Sequence, residues 1–440
     1  MLESIKNMME HQHVPGISIA IIHQNQIVET RSLGVCAAGQ PEPVTSETLF
    51  QACSISKALT AVATLRLVAA GQLDLDADVN HYLRAWQIPA NGDWQPQVTL
   101  RELLSHTAGI TVPWFAGYHR DQRLPTLIQI LAGDRPANTP AVRVNILPGS
   151  RFRYAGGGYC IVQQLLCEII GDTFPALMHR LVLQPAGMVH SSFAQPLPTT
   201  RWAETATGHR ADGESVAGQW HVYPEMAAAG LWTTAADLAR FAIELQRAQR
   251  GEPNELLSSD MAHMLLTPQV KRGDDGQMGL GVWLDGSGAT MRFGHPGDNE
   301  GFASRWVSLC YKGAGAIILT NSDNGWLVIE EILTQVAHQY GWPEPSEQQD
   351  IPSPTKDPSL QRFTGAYELS SGLIATILQK DDALWLQVQG QSPLRLIALD
   401  EATFRFEALE GEVTFLFDDD RIHALRLQQD GQINLARRLR

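Results

Sequence analysis

The sequence predicts an α/β (α+β) fold, in which an antiparallel sheet is flanked by helices and a helical subdomain and is followed by a small antiparallel β-barrel. Three observations predict it. Apolar stretches typical of strands stand near both ends of the first 340 residues. Helical segments and Gly/Pro-rich loops lie between them. After a proline-rich stretch, short alternating segments recur about every ten residues, which is typical of a small barrel or sandwich.

Two predicted hairpins supply the sheet. "GISIAIIHQNQIVETRSLG" (16–34) predicts two strands around a turn at 23–26, and "SRWVSLCYKGAGAIILTNS" (304–322) predicts two more. "LVIEEILTQVAHQYG" (327–341) has a helical period and ends on a glycine. Strands from both ends of this region are therefore expected to share one antiparallel sheet, with the last helix covering one face.

The domain boundaries follow from a change in composition. "WPEPSEQQDIPSPTKDP" (342–358) contains five prolines among polar residues and predicts a linker. The chain is therefore divided into a first domain (1–342), a linker (343–358) and a barrel domain (359–440). Barrel strands are predicted at "ALWLQV" (383–388), "TFRF" (403–406), "EVTFLF" (412–417) and "IHALRL" (422–427), with polar turn clusters between them.

Composition and charge exclude several classes of function. A length of 440 residues suits two domains, and a hydrophobic fraction of 44% is enough for a large core. The formal net charge of −14 argues against a nucleic-acid or anionic-membrane partner, because both need a basic face. No apolar run reaches the length of a membrane span, since Arg66 interrupts the best candidate at 58–70.

The start of the sequence and its cysteines bear on localisation. "MLESIKNMMEHQHVPG" has no apolar h-region. We therefore expect a cytoplasmic protein if Met1 is the native start, and a periplasmic one if a signal peptide was removed. Five cysteines at wide spacings favour free, mostly buried thiols over a disulfide framework.

The segment "LFQACSISKALTAVATLRLVAAG" (49–71) places Ser54 three residues before Lys57, ahead of an apolar run. A helix over 54–70, ended by Gly71, would be buried on most sides. Residues i and i+3 share a helix face, and a serine at the helix start lies among unpaired N–H groups that can stabilise an oxyanion. Because an adjacent amine eases deprotonation of the hydroxyl, this pattern indicates a serine nucleophile.

The same spacing also has a purely structural interpretation. Serine is a good helix N-cap, and a lysine near a helix start can extend its ammonium into solvent. A second S-x-x-K, from Ser353 to Lys356, stands in the proline-rich linker, where no catalytic role is expected. Spacing alone is therefore weak evidence, and the buried helix is what separates the two copies.

Two later motifs decide between these interpretations. "PGSRFRYAGGGYCIVQQLLCEIIG" (148–171) places Tyr154 before three glycines and a helix, and "RFGHPGDNEGFASRW" (292–306) contains His295-Pro296-Gly297. With S-x-x-K, tyrosine and H-x-G in this order, the sequence resembles the class C β-lactamase and penicillin-binding-protein-like serine hydrolases, including their esterase and D-amino-acid peptidase branches. "VPGISIAII", "LRELLSHTAGI" and "AAGLWTTAADLARF" support the resemblance, which covers residues 10 to 341. The tail resembles the lipocalin-like domain attached to some members.

The resemblance implies a role for each side chain of the first two motifs. Ser54 would be the acylated nucleophile and Lys57 a proton relay between Ser54 and Tyr154. Tyr154 would act as the general base of acylation, alone or together with Lys57. A phenol alone is a weak base at neutral pH, and a nearby lysine cation favours the phenolate. The three side chains are therefore expected to form one hydrogen-bonded cluster beside a pocket.

The third motif and the backbone complete the implied site. The N–H groups of Ser54 and Asp298 would form the oxyanion hole. His295, placed with the catalytic residues, would line the substrate strand with Gly297. Many members carry asparagine two residues after the tyrosine, at the substrate-contacting position where this chain has Gly156. Many also begin the third motif with lysine, whereas a histidine there carries only a partial charge at neutral pH.

These departures favour an esterase or a peptidase of small substrates over a dedicated β-lactamase. The hypothesis is a serine hydrolase that acts through an acyl-enzyme on Ser54 and cleaves small esters or amides, including D-amino-acid peptides. The alternatives are a true β-lactamase or D-Ala-D-Ala carboxypeptidase, and a non-catalytic acylatable binding or sensor protein. No cofactor or metal is expected, the partner is a small-molecule substrate, and homo-oligomerisation is left open.

Overall fold

The computed structural model divides the chain into two units, Met1–Ser346 and Glu347–Arg440. It describes residues 2–91, 95–146, 148–272, 276–343, 358–369, 374–380, 383–388, 394–406, 412–418, 421–429 and 432–439. The division falls inside the segment predicted as a linker (343–358). Most of that segment, including the second S-x-x-K at 353–356, lies outside the described residues, as do most of the predicted turn clusters of the barrel.

An eight-stranded antiparallel sheet is the centre of the first unit, with the strand order β2-β1-β12-β11-β10-β9-β8-β7. The strands of this unit are β1 (Gly16–His23), β2 (Gln26–Gly34), β3 (Phe50–Cys53), β4 (Tyr118–His119), β5 (His221–Val222), β6 (Leu231–Thr233), β7 (Val270–Arg272), β8 (Gly276–Met278), β9 (Trp283–Asp285), β10 (Arg292–Asn299), β11 (Phe302–Leu309) and β12 (Gly315–Thr320). Strand β1 pairs with β12, so the two ends of the unit share one sheet, as the sequence predicts.

The first hairpin has the predicted turn. His23 pairs with Gln26, and the two residues between them, Gln24 and Asn25, have φ angles of 51° and 61°. Two consecutive positive φ angles match the twist of the flanking strands, and asparagine tolerates this conformation better than most residues.

Helices cover both faces of the sheet. They are α1 (Leu2–His11), α2 (Ser56–Ala69), α3 (Leu100–Leu104), α4 (Leu127–Ala132), α5 (Gly156–Ile170), α6 (Phe174–Met178), α7 (Met226–Ala229), α8 (Ala235–Gln249), α9 (Ser259–Leu266) and α10 (Gly325–Gln339). Alternate residues of β1 face opposite sides. Ile17, Ile19 and Ile21 belong to the core with α1 and α10, whereas Ala20 and Ile22 belong to the larger core that contains α2 and α8. The predicted last helix therefore covers one face, as expected.

The two helices that follow the first two motifs begin at residues other than those that the sequence predicts. Helix α2 was expected from Ser54 but begins at Ser56, so Ser54 lies in the turn between β3 and α2. The reason lies in the preceding residue, because Cys53 has a φ of 55°, which ends strand β3 in a sharp turn. Helix α5 begins at Gly156, the first of the three glycines that were expected to precede it, and is capped at its predicted end by Gly171, which has a φ of 70°.

The second unit is a closed antiparallel barrel of eight strands in sequential order. The strands are β13 (Gly365–Leu369), β14 (Ile374–Lys380), β15 (Ala383–Val388), β16 (Leu394–Ala398), β17 (Thr403–Phe406), β18 (Glu412–Asp418), β19 (Arg421–Gln429) and β20 (Gln432–Arg438). Strand β20 pairs with β13 and closes the ring. The four predicted segments all lie in strands, and Phe363, Tyr367, Phe404 and Phe415 pack inside.

Among the described residues, no single helix is long and apolar enough to cross a membrane. One bent pair, α5 with the segment from Phe174 to Leu183, meets the length and composition requirement only when the two are taken together.

Candidate active site

Ser54 and Lys57 meet at the start of α2. Lys57 is 2% exposed, and its Nζ atom donates to Ser54 Oγ at 3.0 Å and to the Ala228 carbonyl oxygen at 2.8 Å. The N-cap of α2 is Ile55, and no side chain caps the helix. Neither structural alternative fits this geometry, because Ser54 does not cap the helix and Lys57 does not extend into solvent.

Tyr154 lies beside the same amine, just before α5. Lys57 Nζ is 5.0 Å from the centre of the Tyr154 ring and 5.6 Å from that of Tyr159. Such distances are typical of cation–π contacts. The structure records no hydrogen bond between the Tyr154 hydroxyl and a described residue. The structure therefore gathers Ser54, Lys57 and Tyr154 around one nitrogen atom, but only the serine and the lysine are hydrogen-bonded.

His106 is a neighbour of Tyr154 that the sequence analysis missed. Its ring centre lies 4.3 Å from that of Tyr154, and its Nδ1 atom accepts a hydrogen bond from the Ala155 N–H at 3.1 Å. Burial and the charge of Lys57 lower the pKa of His106 well below its usual value. The ring is therefore neutral and carries its proton on Nε2. The signal was present in the quoted stretch "LRELLSHTAGI", in which histidine is the only ionisable group inside the apolar run after Glu102.

His295 lies on strand β10 and differs from the expectation of a partly charged group. It is 1% exposed, and its Nδ1 atom contacts the Pro296 carbonyl oxygen. Burial and the charge of Lys57 lower the pKa of His295 well below its usual value. His295 is therefore neutral at pH 7 and not partly charged, because burial next to the Lys57 cation lowers its pKa more than the contact with the Pro296 carbonyl oxygen raises it. Its ring lies 6.2 Å from that of Tyr154.

Gly297 allows β10 to pass close to the turn that carries the nucleophile. A Cβ atom at this position would lie 2.5 Å from the Ala52 carbonyl oxygen and 3.0 Å from Cys53 Cβ. Asn299 ties the end of the same strand to β3 and α7, since its Nδ2 atom donates to Gln51 Oε1 at 2.8 Å and to the Ala229 carbonyl oxygen at 3.2 Å. The backbone of β10 is thereby held next to Ser54, and the oxyanion hole of Ser54 and Asp298 stays a prediction.

The surroundings of Gly156 explain why this chain has no asparagine two residues after Tyr154. A Cβ atom on Gly156 would lie 2.7 Å from Phe115 Cε2, and the Gly156 N–H donates to the Pro113 carbonyl oxygen at 3.0 Å. A side chain at this position would therefore displace the Phe115 ring or the turn around it. The site therefore has no side-chain amide at position 156.

Glu225 is a buried acid next to the site that the sequence analysis also missed. It is fully buried, and neither carboxyl oxygen has a hydrogen-bond partner among the described residues. Burial raises the pKa of Glu225 to about 8. The residue directly precedes α7, whose carbonyl oxygens accept hydrogen bonds from Thr60 Oγ1, Lys57 Nζ and Asn299 Nδ2. A glutamate just before "MAAAGLW" was the available signal.

Within the described ranges, no group of three or more His, Cys, Asp or Glu side chains is placed to hold a metal ion. All five cysteines are unpaired, and Cys53, Cys160 and Cys310 are buried.

Comparison with known proteins places this site in a family. The model of the Beta-lactamase family matches residues 3–334. Penicillin-binding protein 4* of Bacillus subtilis is 21% identical, over 98% of this chain and 96% of its own length. Penicillin-binding protein 4 of Amycolatopsis lactamdurans is 25% identical, over 82% of this chain and 95% of its own length.

Solved structures share the fold over both units. The octameric penicillin-binding protein homologue from Pyrococcus abyssi has a TM-score of 0.66 at 22% identity, over 99% of this chain and 100% of its own. SurE has a TM-score of 0.65 at 23% identity, over 99% of this chain and 98% of its own. The chain therefore belongs to the beta-lactamase family, whose members are serine hydrolases of the β-lactamase and penicillin-binding-protein kind.

Proposed function

We propose that this protein is a serine hydrolase that forms an acyl-enzyme on Ser54 and cleaves small esters and amides. The hydrogen bond of 3.0 Å between Lys57 Nζ and Ser54 Oγ carries the proposal, because it joins a nucleophile to a buried amine. The Ala228 carbonyl oxygen holds the same amine from the other side at 2.8 Å. A fixed amine next to the hydroxyl is what activation of a serine requires.

Acylation follows from this arrangement in two steps. Ser54 Oγ attacks the carbonyl carbon while its proton passes to the Lys57 and Tyr154 pair. The negative charge on the carbonyl oxygen is stabilised by the N–H groups of Ser54 and Asp298. The C–O or C–N bond of the substrate then breaks, and the leaving group takes the proton from the pair. A water molecule hydrolyses the acyl-enzyme through the same groups and restores the Ser54 hydroxyl.

The environment of two site residues favours a substrate without a recognised carboxylate. His295 is neutral where many members have a lysine cation, so it offers no fixed charge to an anionic substrate. Gly156 has no room for the asparagine that contacts an amide in many members. Small uncharged esters therefore suit the site best, and amides, D-amino-acid peptides included, follow with lower efficiency.

The test combines adduct detection with a substrate panel. Intact-protein mass spectrometry after exposure to a fluorophosphonate should show one adduct, which Ser54→Ala abolishes. p-Nitrophenyl acetate and butyrate, nitrocefin and D-amino-acid anilides are then compared by kcat/KM. Ser353→Ala, in the second S-x-x-K of the sequence, is the matched control and should retain the adduct and full activity. An adduct that survives in Ser54→Ala would disprove the assignment.

The same panel separates the alternatives left open by the sequence. A kcat/KM for nitrocefin above that for p-nitrophenyl butyrate would assign the protein as a β-lactamase. A D-alanine-releasing activity above both would assign a carboxypeptidase. A single stoichiometric acylation without further turnover would indicate an acylatable binding or sensor protein. Sustained turnover of the esters is the result that we expect.

We also propose that the protein forms homo-oligomers. The similarity to the Pyrococcus abyssi homologue described as octameric supports this proposal. Light scattering on the purified full-length chain is the direct measurement, and a monomer across the accessible concentration range would reject it.

A further inference from the structure

A separate cavity of about 500 Å³ lies in the first unit, between the start of β10 and helix α10. Ser54, Lys57 and Tyr154 do not line it. Its lining residues include two arginines, two acids and, besides Trp306, two tryptophans, namely Arg292, Arg305, Asp285, Glu330, Trp283 and Trp342. The cavity is within the size range of small-molecule sites.

Strand alternation places the two arginines on the side of the sheet that α10 covers. Along β11, Ala303 and Val307 belong to the core with α10, and Arg305 shares their parity. Trp306 points the other way, against Phe241 and Phe293. Arg292 pairs with Leu309, another member of the α10 core, so its guanidinium lies on the same side as that of Arg305.

The lining side chains hold a surplus of buried hydrogen-bond donors. Four N–H groups on cavity-lining residues are buried without a hydrogen-bond partner among the described residues: Arg292 Nε, Arg305 Nε, Trp283 Nε1 and Trp342 Nε1. No lining residue has a buried acceptor in the same condition. Unsatisfied buried donors are rare and costly in native structures. The buried lining groups that lack a partner among the described residues are therefore all donors, and an acceptor-rich ligand would satisfy them.

The nearby acids do not neutralise this surplus. Asp285 already accepts a hydrogen bond from Arg272 Nη2 at 2.7 Å, and Arg272 stacks on the face of Trp283 at 3.9 Å. Glu330 is exposed on the side of α10. Arg272, which lies outside the lining, adds a third guanidinium cation to those of Arg292 and Arg305, so three cations against two carboxylates leave one positive charge in excess. Burial lowers the pKa of both Arg292 and Arg305. One negative charge from a ligand would balance the cavity.

Part of the wall is apolar, although Thr290, Thr334 and His338 also line the cavity. Val307, Leu333 and Ala337 line the cavity together with the two indole rings. Such walls favour an aromatic or branched aliphatic body, because burial of apolar surface drives binding while a few polar groups fix orientation.

We propose that this cavity is a binding site for a small monocarboxylate with an aromatic or branched aliphatic body. The carboxylate lies between the guanidinium groups of Arg292 and Arg305, where arginine can bind it with two parallel hydrogen bonds. The body packs against Trp283, Trp342 and Leu333. The proposal does not depend on the reaction at Ser54, because it rests on residues that do not belong to that site.

The experiment uses the full-length protein and 4-fluorophenylacetate as the probe. Isothermal titration calorimetry should show saturable binding of one molecule per chain, and the fluorine signal should broaden in the nuclear magnetic resonance spectrum. The uncharged 4-fluorophenylacetamide, which has the same body, should bind at least about tenfold more weakly, because it lacks the charge-assisted hydrogen bonds. Inorganic phosphate, which carries more charge and no apolar body, should also bind more weakly than the carboxylate.

Arg305→Met is the decisive variant, since it removes the cation and keeps an apolar side chain of similar length. Binding of 4-fluorophenylacetate should weaken about tenfold or more. Arg120→Met is the matched control, because Arg120 also lies against two indole rings, 4.1 Å from Trp202 and 4.3 Å from Trp220, but does not line the cavity. It should bind the probe as the wild type does.

Trp283 lines the cavity, and its ring also lies 5.6 Å from that of His295. Binding of the probe in the cavity must therefore be distinguished from binding in the active site. The titration is therefore repeated with Ser54→Ala, which should bind the probe unchanged. If Arg305→Met does not fold, as judged by circular dichroism, Arg292→Met on the same wall provides the same test.

Four results would each overturn the proposal. The first three are the absence of saturable binding of the probe up to about 10 mM, equal binding of acid and amide, and unchanged affinity in Arg305→Met. Phosphate that binds as tightly as the carboxylate would likewise overturn the proposal, because the proposed ligand is a monoanion with an apolar body.

Discussion

Lys57 and Glu225 are ionisable side chains buried in the same unit, on segments that pack against each other, yet their surroundings differ completely. Lys57 Nζ has two oxygen acceptors and two aromatic rings around it. Neither carboxyl oxygen of Glu225 has a partner among the described residues, and burial raises its pKa to about 8. A buried group with partners can exchange a proton with them, whereas one without partners is stabilised in its neutral form. Burial alone therefore does not make a catalytic group.

Replacement of the amine should produce the largest effect. Lys57→Met keeps a side chain of similar length and removes the hydrogen bond to Ser54 Oγ. We expect kcat/KM for p-nitrophenyl butyrate to fall about 10³-fold, as for the loss of a positioned acid–base group. Steady-state kinetics measures it. Lys312→Met, at an exposed lysine, should behave as the wild type does, and a Lys57→Met enzyme as active as this control would remove the contrast with Glu225.

The unpartnered acid should instead control how stability depends on pH. The pKa of about 8 in the folded chain lies above the ordinary value of 4.5, so the folded chain binds this proton more tightly than the unfolded chain. The stability that Glu225 contributes is fully present below pH 4.5 and is lost as the pH rises through about 8. The loss amounts to at most about 1.4 kcal/mol per pH unit.

Glu225→Gln cannot ionise and should flatten this decline. The free energy of unfolding, from urea denaturation between about pH 5 and pH 9, is the measurement. Glu47→Gln, at an exposed acid, is the control and should keep the slope of the wild type. A Glu225→Gln protein with the same slope as the control would mean that Glu225 is already ionised in the folded chain.

His106 shares features of both residues and sharpens the comparison. One ring nitrogen has a partner, and the other, Nε2, has none among the described residues. His106→Asn tolerates the φ of 59° at this position but removes the ring next to Tyr154. We expect kcat/KM to fall about tenfold through poorer positioning of the phenol.

The pH profile of His106→Asn distinguishes positioning from catalysis. Because burial and Lys57 lower the pKa of His106 well below 6.5, the acid limb of the wild-type profile should not come from this ring. The limb should keep its midpoint in the variant while the rate falls. A shifted midpoint would show that His106 itself titrates in the reaction.

The smallest effect is expected for Tyr159, the more distant of the two tyrosine rings near Lys57. Tyr159→Phe keeps the ring that faces Lys57 and removes only the hydroxyl, which donates to the Leu104 carbonyl oxygen at 2.9 Å. The free energy of unfolding should fall by about 1 kcal/mol, the net contribution of one hydrogen bond, while kcat/KM stays close to that of the wild type. A loss of activity comparable to that of Lys57→Met would mean that the wrong tyrosine has been assigned to catalysis.

Much of the fold could be predicted because it depends on local patterns. The turn at 23–26, the glycine ends of α2 and α5, and the alternating barrel segments each have a signal within a few residues. The start of α2 could not be placed, because it depends on a positive φ at Cys53. Only glycine, asparagine and aspartate usually indicate that conformation in a sequence.

In the candidate site as well, some contacts could be predicted from the sequence and others could not. Ser54 and Lys57 are only three residues apart, so their contact could be predicted from the motif together with the apolar helix that follows it. The carbonyl of Ala228, 171 residues away from Lys57 in sequence, and the Phe115 ring against Gly156 are contacts that only the tertiary structure creates. Glu225 was missed for the same reason, since a single acid near alanines does not reveal that it is buried.

The closure of the barrel restricts how copies of this chain can join. Because β20 pairs with β13, the described strands form a ring without a terminal strand to offer free N–H and C=O groups. Growth of a shared sheet from one molecule to the next, the route to fibrils, therefore has no starting edge among the described strands of this unit. Contacts between side chains on the outside of these strands can join copies without opening the ring.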